Sequence, residues 1–214
     1  EAYAPCTLGD LEAMGIDYWA LGHVHTRQIL RPAKPAVVYP GNPQGRHPNE
    51  RDARGVYLVE VTDSGTIHTD FRPVDVVRWE SLDIRIDEVE DYQDLEDRLD
   101  SAIRNALEDA DMRDLVLRLD LSGRGPMHSD LVHPGFLNDL QSRLNQSWSG
   151  RQPFAYIERV IDSTFATVDR EERKRAEDFI GDLMKLVDEY QNNPSKDEGL
   201  ATALEPLFDN SRAA

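Results

Sequence analysis

Between positions 115 and 121 leucine stands at every second residue: Leu115, Leu117, Leu119 and Leu121 alternate with Val116, Arg118 and Asp120. Successive side chains of a β-strand point to opposite faces, so this run buries one face and leaves the other in mixed surroundings. The leucine face needs elements to cover it, and the flanking sequence supplies them. Residues 91–110 carry Tyr92, Leu95, Leu99, Ile103, Ala106 and Ala110 at helical spacing, and residues 134–144 do the same with Phe136, Leu137, Leu140 and Leu144. Strands over 76–86 and 154–161 complete a β-α-β-α-β order, which predicts a small α/β layer domain over residues 76–165.

The preceding residues read differently. Thr7 can cap a helix over 7–14 whose Leu8, Leu11 and Met14 share a face and which Gly15 can end. Residues 17–21 predict a short buried strand that stops at Gly22. Strands over 27–30 and 36–39 flank Arg31-Pro32-Ala33-Lys34-Pro35. The run Pro40-Gly41-Asn42-Pro43-Gln44-Gly45-Arg46 is too rich in Pro and Gly to be anything but a shaped loop. Residues 55–61 and 66–71 predict a hairpin turning at Asp63-Ser64-Gly65. Beyond 165, an amphipathic helix is expected over 170–190, with Ala176, Phe179, Ile180, Leu183, Val187 and Tyr190 on one stripe. Asn192-Asn193-Pro194 should end it, and a shorter helix is expected over 200–208. The chain thus reads as α/β (α+β) in three regions, 1–75, 76–165 and 166–214.

Composition bounds the function. No apolar stretch reaches the roughly 18–20 residues that a bilayer crossing needs. Residues 1–5 lack a secretory pattern and an initiator Met, and they lead almost at once into mid-fold, so a piece of a longer polypeptide is expected. Cys6 is the sole cysteine, which excludes an internal disulfide or a cysteine-built zinc site and fits a reducing cytoplasm. As a small, packed residue it is expected to be buried. A net charge of -17 argues against nucleic-acid binding as a whole-surface property. Within 27–54, however, Arg27, Arg31, Lys34, Arg46, Arg51 and Arg54 face only Glu50 and Asp52.

That basic window follows Gly22-His23-Val24-His25. If this segment is extended, both imidazoles face one pocket, and imidazole suits Zn, Mn or Fe. The alternative is a pair of surface histidines on a turn. In the next loop, Asn42, Gln44 and Arg46 are candidates for phosphate, through backbone N–H groups and the Arg46 guanidinium fork. The loop could equally be a tight crossover in which Arg46 pairs with Glu50 or Asp52. His47 reads as structural or solvated. Gly123-Arg124-Gly125-Pro126 reads as a turn, His128 and His133 as capping or solvated, and His68 as part of a hairpin strand. Trp19 and Trp79 should pack, while Trp148, placed just after a helix, is assigned no role.

Asp17-Tyr18-Trp19-Ala20-Leu21-Gly22-His23-Val24-His25 resembles the closing motif of calcineurin-like metallophosphoesterases. Val38-Tyr39-Pro40-Gly41-Asn42-Pro43-Gln44-Gly45-Arg46-His47 resembles a loop of their DNA-repair exonuclease branch, the YhaO and SbcD nuclease subunits. The resemblance is specific through about residue 80, where Pro73-Val74-Asp75-Val76-Val77-Arg78-Trp79 also fits. It implies that 1–75 is the C-terminal part of a metallophosphoesterase β-sandwich, 76–165 a cap domain and 166–214 a helical partner-docking region. It implies two divalent metals, Mn2+ in the family, with His23 on one and His25 on the other. It further implies phosphodiester hydrolysis of DNA in repair, an SMC-like coiled-coil ATPase subunit (YhaN/SbcC type) as partner, a homodimer through the nuclease core, and a cytoplasmic location away from membranes. The family's Asp-x-His, Gly-Asp-x-x-Asp and Gly-Asn-His-Asp/Glu motifs do not occur in these residues, so no catalytic set is complete and this chain alone should be inactive. A non-catalytic adaptor for such an ATPase and a phosphoesterase for small phosphate esters are the competing readings.

Overall fold

A computed structural model of the chain describes residues 5–167, 170–175 and 178–192. Two compact units result, Glu1–Ala166 and Thr167–Ala214.

The first unit opens with α1 (Leu8–Ala13). Thr7 caps it reciprocally: its hydroxyl accepts the Asp10 N–H at 3.2 Å while the Asp10 carboxylate takes the Thr7 N–H at 2.8 Å. The Thr7 N–H foremost, then the Thr7 hydroxyl, hold the Asp10 carboxyl below its usual value. Gly15, at φ 68°, ends the helix. Only Leu11 of the expected apolar face is buried; Leu8 and Met14 are exposed. Cys6 is exposed too, against expectation, because it precedes the helix and lies outside any core.

Strands β1 (Tyr18–Ala20), β2 (Gln28–Arg31) and β3 (Ala36–Tyr39) form a sheet in the order β1-β3-β2. β3 runs parallel to β1, pairing Trp19 with Val37, and antiparallel to β2, pairing Ile29 with Val38. The expected buried strand over 17–21 is therefore corrected. β1 is an edge strand, with Tyr18 and Trp19 half-buried and Ala20 exposed. The buried strand is the central β3, whose Ala36, Val37 and Val38 are wholly enclosed. Strands β4 (Gly55–Val61) and β5 (Ile67–Pro73) make the expected hairpin, in register from Gly55↔Pro73 to Val61↔Ile67.

Strands β6 (Val77–Arg85), β7 (Asp114–Arg124) and β8 (Ala155–Phe165) form an all-parallel sheet in chain order. Its crossovers are α2 (Tyr92–Asp109) and the pair α3 (His128–Leu131) and α4 (Phe136–Trp148). Leu115, Leu117, Leu119 and Leu121 are all fully buried, packed with Leu95, Leu99, Ile103, Leu140 and Ile157. The other face of β7 is half-buried and polar, with the Arg118 guanidinium on Glu158 at 2.7 Å. Asp91 caps α2 by accepting the Asp94 N–H.

Three local expectations shift. Gly123 and Arg124 belong to β7, which continues two residues further than the turn reading allows. α4 begins at Phe136 because Gly135, at φ 90°, cannot be helical. It runs on to Trp148, which is a buried helix residue flanked by the Arg151 guanidinium 4.0 Å from its ring centre.

Asp75 and Arg78, both buried, tie the hairpin to the parallel sheet: the Arg78 guanidinium grips the Asp75 carboxylate at 2.8 and 3.2 Å. Arg113, ahead of β7, adds a bond to the Asp75 carbonyl at 3.0 Å.

In the second unit the single helix expected over 170–190 is instead α5 (Arg170–Arg175) and α6 (Phe179–Asn192). Asp178 heads α6: its carboxylate accepts the Gly181 N–H at 2.9 Å, as an N-cap does. A side chain that bonds the backbone in this way starts a helix and does not continue one. The helix expected over 200–208, with Ala176 and the side chain of Tyr190, lies outside the described residues. No helix among the described residues is long and apolar enough to cross a membrane.

Candidate metal centre and its supporting loop

β1 ends at Ala20 and the chain turns before His23 and His25. The turn is not extended: His23 has φ 76°, in the left-handed region where a side chain other than glycine is unusual. Strand alternation therefore does not place both rings on one side. His23 lies at a bend, His25 two residues beyond it, and both are exposed.

His25 is the better-defined of the two. Its Nδ1 lies 2.6 Å from Oε1 of Glu50, and about half of its side chain meets solvent. Glu50 is held in turn. Its Oε2 accepts the Arg46 N–H at 2.8 Å and an Asn42 amide hydrogen at 2.9 Å, and its own N–H reaches the His47 carbonyl. The Arg46 N–H foremost, then the His25 ring and the Asn42 amide, pull the Glu50 carboxyl down to about 2.

The His25 backbone is fixed by the same loop. Its carbonyl accepts from Arg54 Nη1 at 2.7 Å and from the Asn42 N–H at 3.3 Å. Arg54 also donates to the Asn42 side-chain oxygen at 3.0 Å and twice to the Arg51 carbonyl. Gly41 is required at this junction. It adopts φ 80°, and a Cβ there would stand 2.8 Å from the His25 carbonyl oxygen.

The phosphate candidates divide sharply. Asn42 donates amide hydrogens to the Gln44 carbonyl and to Glu50, and its side-chain oxygen accepts from Arg54. Gln44 bonds the Gly45 and Val77 carbonyls and accepts the Val76 and Val77 N–H groups, fastening the loop to the start of β6. Their polar groups are committed to the loop. Arg46 is anchored by its backbone and exposes its side chain. It pairs with Glu50 through the main chain and not through the guanidinium. His47 accepts the Asn49 N–H, a structural part.

Three cations of the basic window are engaged at the surface. Arg31 pairs with Glu12, Lys34 lies 2.9 Å from Asp17, and Arg27 sits over the Phe71 ring at 3.7 Å. Elsewhere, His128 opens α3 with its Nδ1 2.8 Å from the Thr164 hydroxyl, a packing role.

Among the described residues, no three His, Cys, Asp or Glu side chains are placed together to hold an ion. The two imidazoles nonetheless fit a metal as one loop's share of a ligand set. A ligating histidine commonly gives its other ring N–H to a carboxylate, and Glu50 stands in that place toward His25. Glu50 and Arg54 were not legible as site residues. Each lies more than 20 positions from His25, and no spacing rule connects them.

The family described as metallophosphoesterase YhaO, middle domain, matches residues 79–165, which is the parallel sheet and its helices almost to the residue. The Bacillus subtilis protein described as uncharacterized metallophosphoesterase YhaO is 33% identical over 168 residues, covering 77% of this chain and 40% of that protein. This chain thus spans less than half the length of that relative. By the match over residues 79–165 and the similarity over 77% of its length, the chain is YhaO-like, similar to a metallophosphoesterase.

Proposed function

We propose that this chain is the C-terminal part of a metal-dependent DNA exonuclease or endonuclease acting in repair, with His23 and His25 as metal ligands. One observation carries the reading: the ionised Glu50 occupies Nδ1 of the exposed His25 and so leaves Nε2 for a metal. A bound pair of divalent ions, Mn2+ in this reading, would supply Lewis-acid polarisation of a phosphodiester and activation of water. The remaining ligands would come from residues outside these 214. What this chain does is hold His25 in place through the 40–54 loop and present Arg46 and Arg51, both exposed on that loop, to a phosphate backbone.

The resemblance to the repair nucleases supports DNA as substrate, an SMC-like coiled-coil ATPase as partner, a dimer through the nuclease core and a cytoplasmic location. The second unit offers that partner an exposed apolar edge at Phe179 and Ile180. The test is Mn2+-dependent digestion of linear DNA by the protein that carries the full ligand set, with and without His25→Ala. The substitution should lower the rate at least 100-fold. Undiminished digestion would remove His25 from the metal centre, and hydrolysis confined to small phosphate esters would remove DNA as substrate.

A further inference from the structure

Glu50 stands where three requirements of His25 meet. Its Oε1 touches the imidazole at 2.6 Å, and its Oε2 is pinned by the Arg46 N–H and the Asn42 amide. The two bonds to the His25 carbonyl come from Arg54 and Asn42 in the same loop, so one loop holds both ring and main chain. The 2.6 Å contact pairs the ring nitrogen with a carboxylate oxygen, an acceptor, and so places a ring hydrogen of His25 on Nδ1. A free imidazole favours neither nitrogen strongly, so the choice is imposed by the partner.

We propose that Glu50 is a positioning residue that locks His25 in the Nδ1–H tautomer and fixes its ring, making Nε2 the nitrogen offered to a metal. Glu50 touches the imidazole and not the ion. The tautomer stands on the geometry alone, while the consequence for metal binding rests on the reading of His25 as a ligand.

The experiment is long-range 1H–15N NMR of the 15N-labelled 214-residue chain at a pH where His25 is neutral, with its ring signals assigned through His25→Ala. The wild type should show a protonated, pyrrole-like Nδ1 and a pyridine-like Nε2. Glu50→Ala should release His25 to the mixed tautomers of a free imidazole. Glu50→Gln, whose amide oxygen can still accept from Nδ1, should restore much of the Nδ1–H form. Backbone signals of the parallel sheet, unmoved in both variants, confirm that the fold is intact. A wild-type His25 protonated on Nε2, or a tautomer indifferent to Glu50→Ala, overturns the proposal without reference to any metal. A Mn2+ titration of the protein that carries the full ligand set, as wild type and with each substitution, separates the two readings. Binding weakened about 10–100-fold by Glu50→Ala and less by Glu50→Gln supports both. The expected tautomer without measurable Mn2+ binding upholds Glu50 as the positioning residue and counts against the metal.

Discussion

At the scale of single residues, this chain places carboxylates in opposite electrostatic situations. Glu50 is surrounded by donors and held ionised; half-buried Glu80 is not. Burial, then the nearby Asp52 carboxylate, pushes the Glu80 carboxyl above its usual 4.5. The folded state therefore binds a proton more tightly than the unfolded chain does. The stability this gives is present below 4.5 and is lost as pH rises through the elevated folded value. Glu80→Gln should remove that pH dependence and raise the urea midpoint at pH 7. Urea melts between pH 4 and 7 measure it, and a variant as pH-dependent as the wild type would disprove the assignment. Gly41 shows the complementary constraint, since its backbone touches the backbone of the His25 turn and leaves no space for a side chain.

Among the elements, β7 shows how far alternation alone reaches. The four leucines that sequence places on one face are all fully buried, and the intervening residues are half-exposed. Leu119→Ala should destabilise the first unit by about 2–5 kcal/mol, as removal of a fully enclosed leucine does. Arg118→Met, across the strand, should cost a small fraction of that, because its pairing with Glu158 is partly open to water. Chemical denaturation of both variants tests the contrast, and equal losses would mean that the second face also carries core packing. Elements that depend on more than their own pattern were less legible. α6 starts at Asp178 because that side chain bonds the backbone of its first turn, a signal hidden inside an otherwise continuous apolar stripe.

For the whole molecule, charge sets what can approach. If DNA is the substrate, as proposed, the net charge of -17 and the 19 acidic residues against 10 basic ones in 76–165 favour the 40–54 loop as the side for its phosphate backbone. Exposed Arg46 and Arg51 are the cations available there. Replacing both with Glu should weaken binding to duplex DNA and reduce the slope of log K against log salt by about 2, since each arginine neutralises one phosphate. Fluorescence anisotropy over a salt series reads both quantities. An unchanged slope would move the DNA surface elsewhere.

By itself the sequence determined the features that act over a few residues. The Thr7 cap, the hairpin at Asp63-Ser64-Gly65, the helical stripe of α2 and the leucine alternation of β7 are written in spacings that backbone geometry repeats wherever they occur. The His23 and His25 pair was visible in the same way, as a local motif. Tertiary structure alone decided which strand is enclosed, because burial of β3 depends on its having a neighbour on each side. It also decided that the His turn is left-handed, that Asn42 and Gln44 are committed to the loop, and that Glu50, distant in sequence, meets the ring of His25. Those contacts join segments that loop closure brings together, and no periodicity along the chain encodes them.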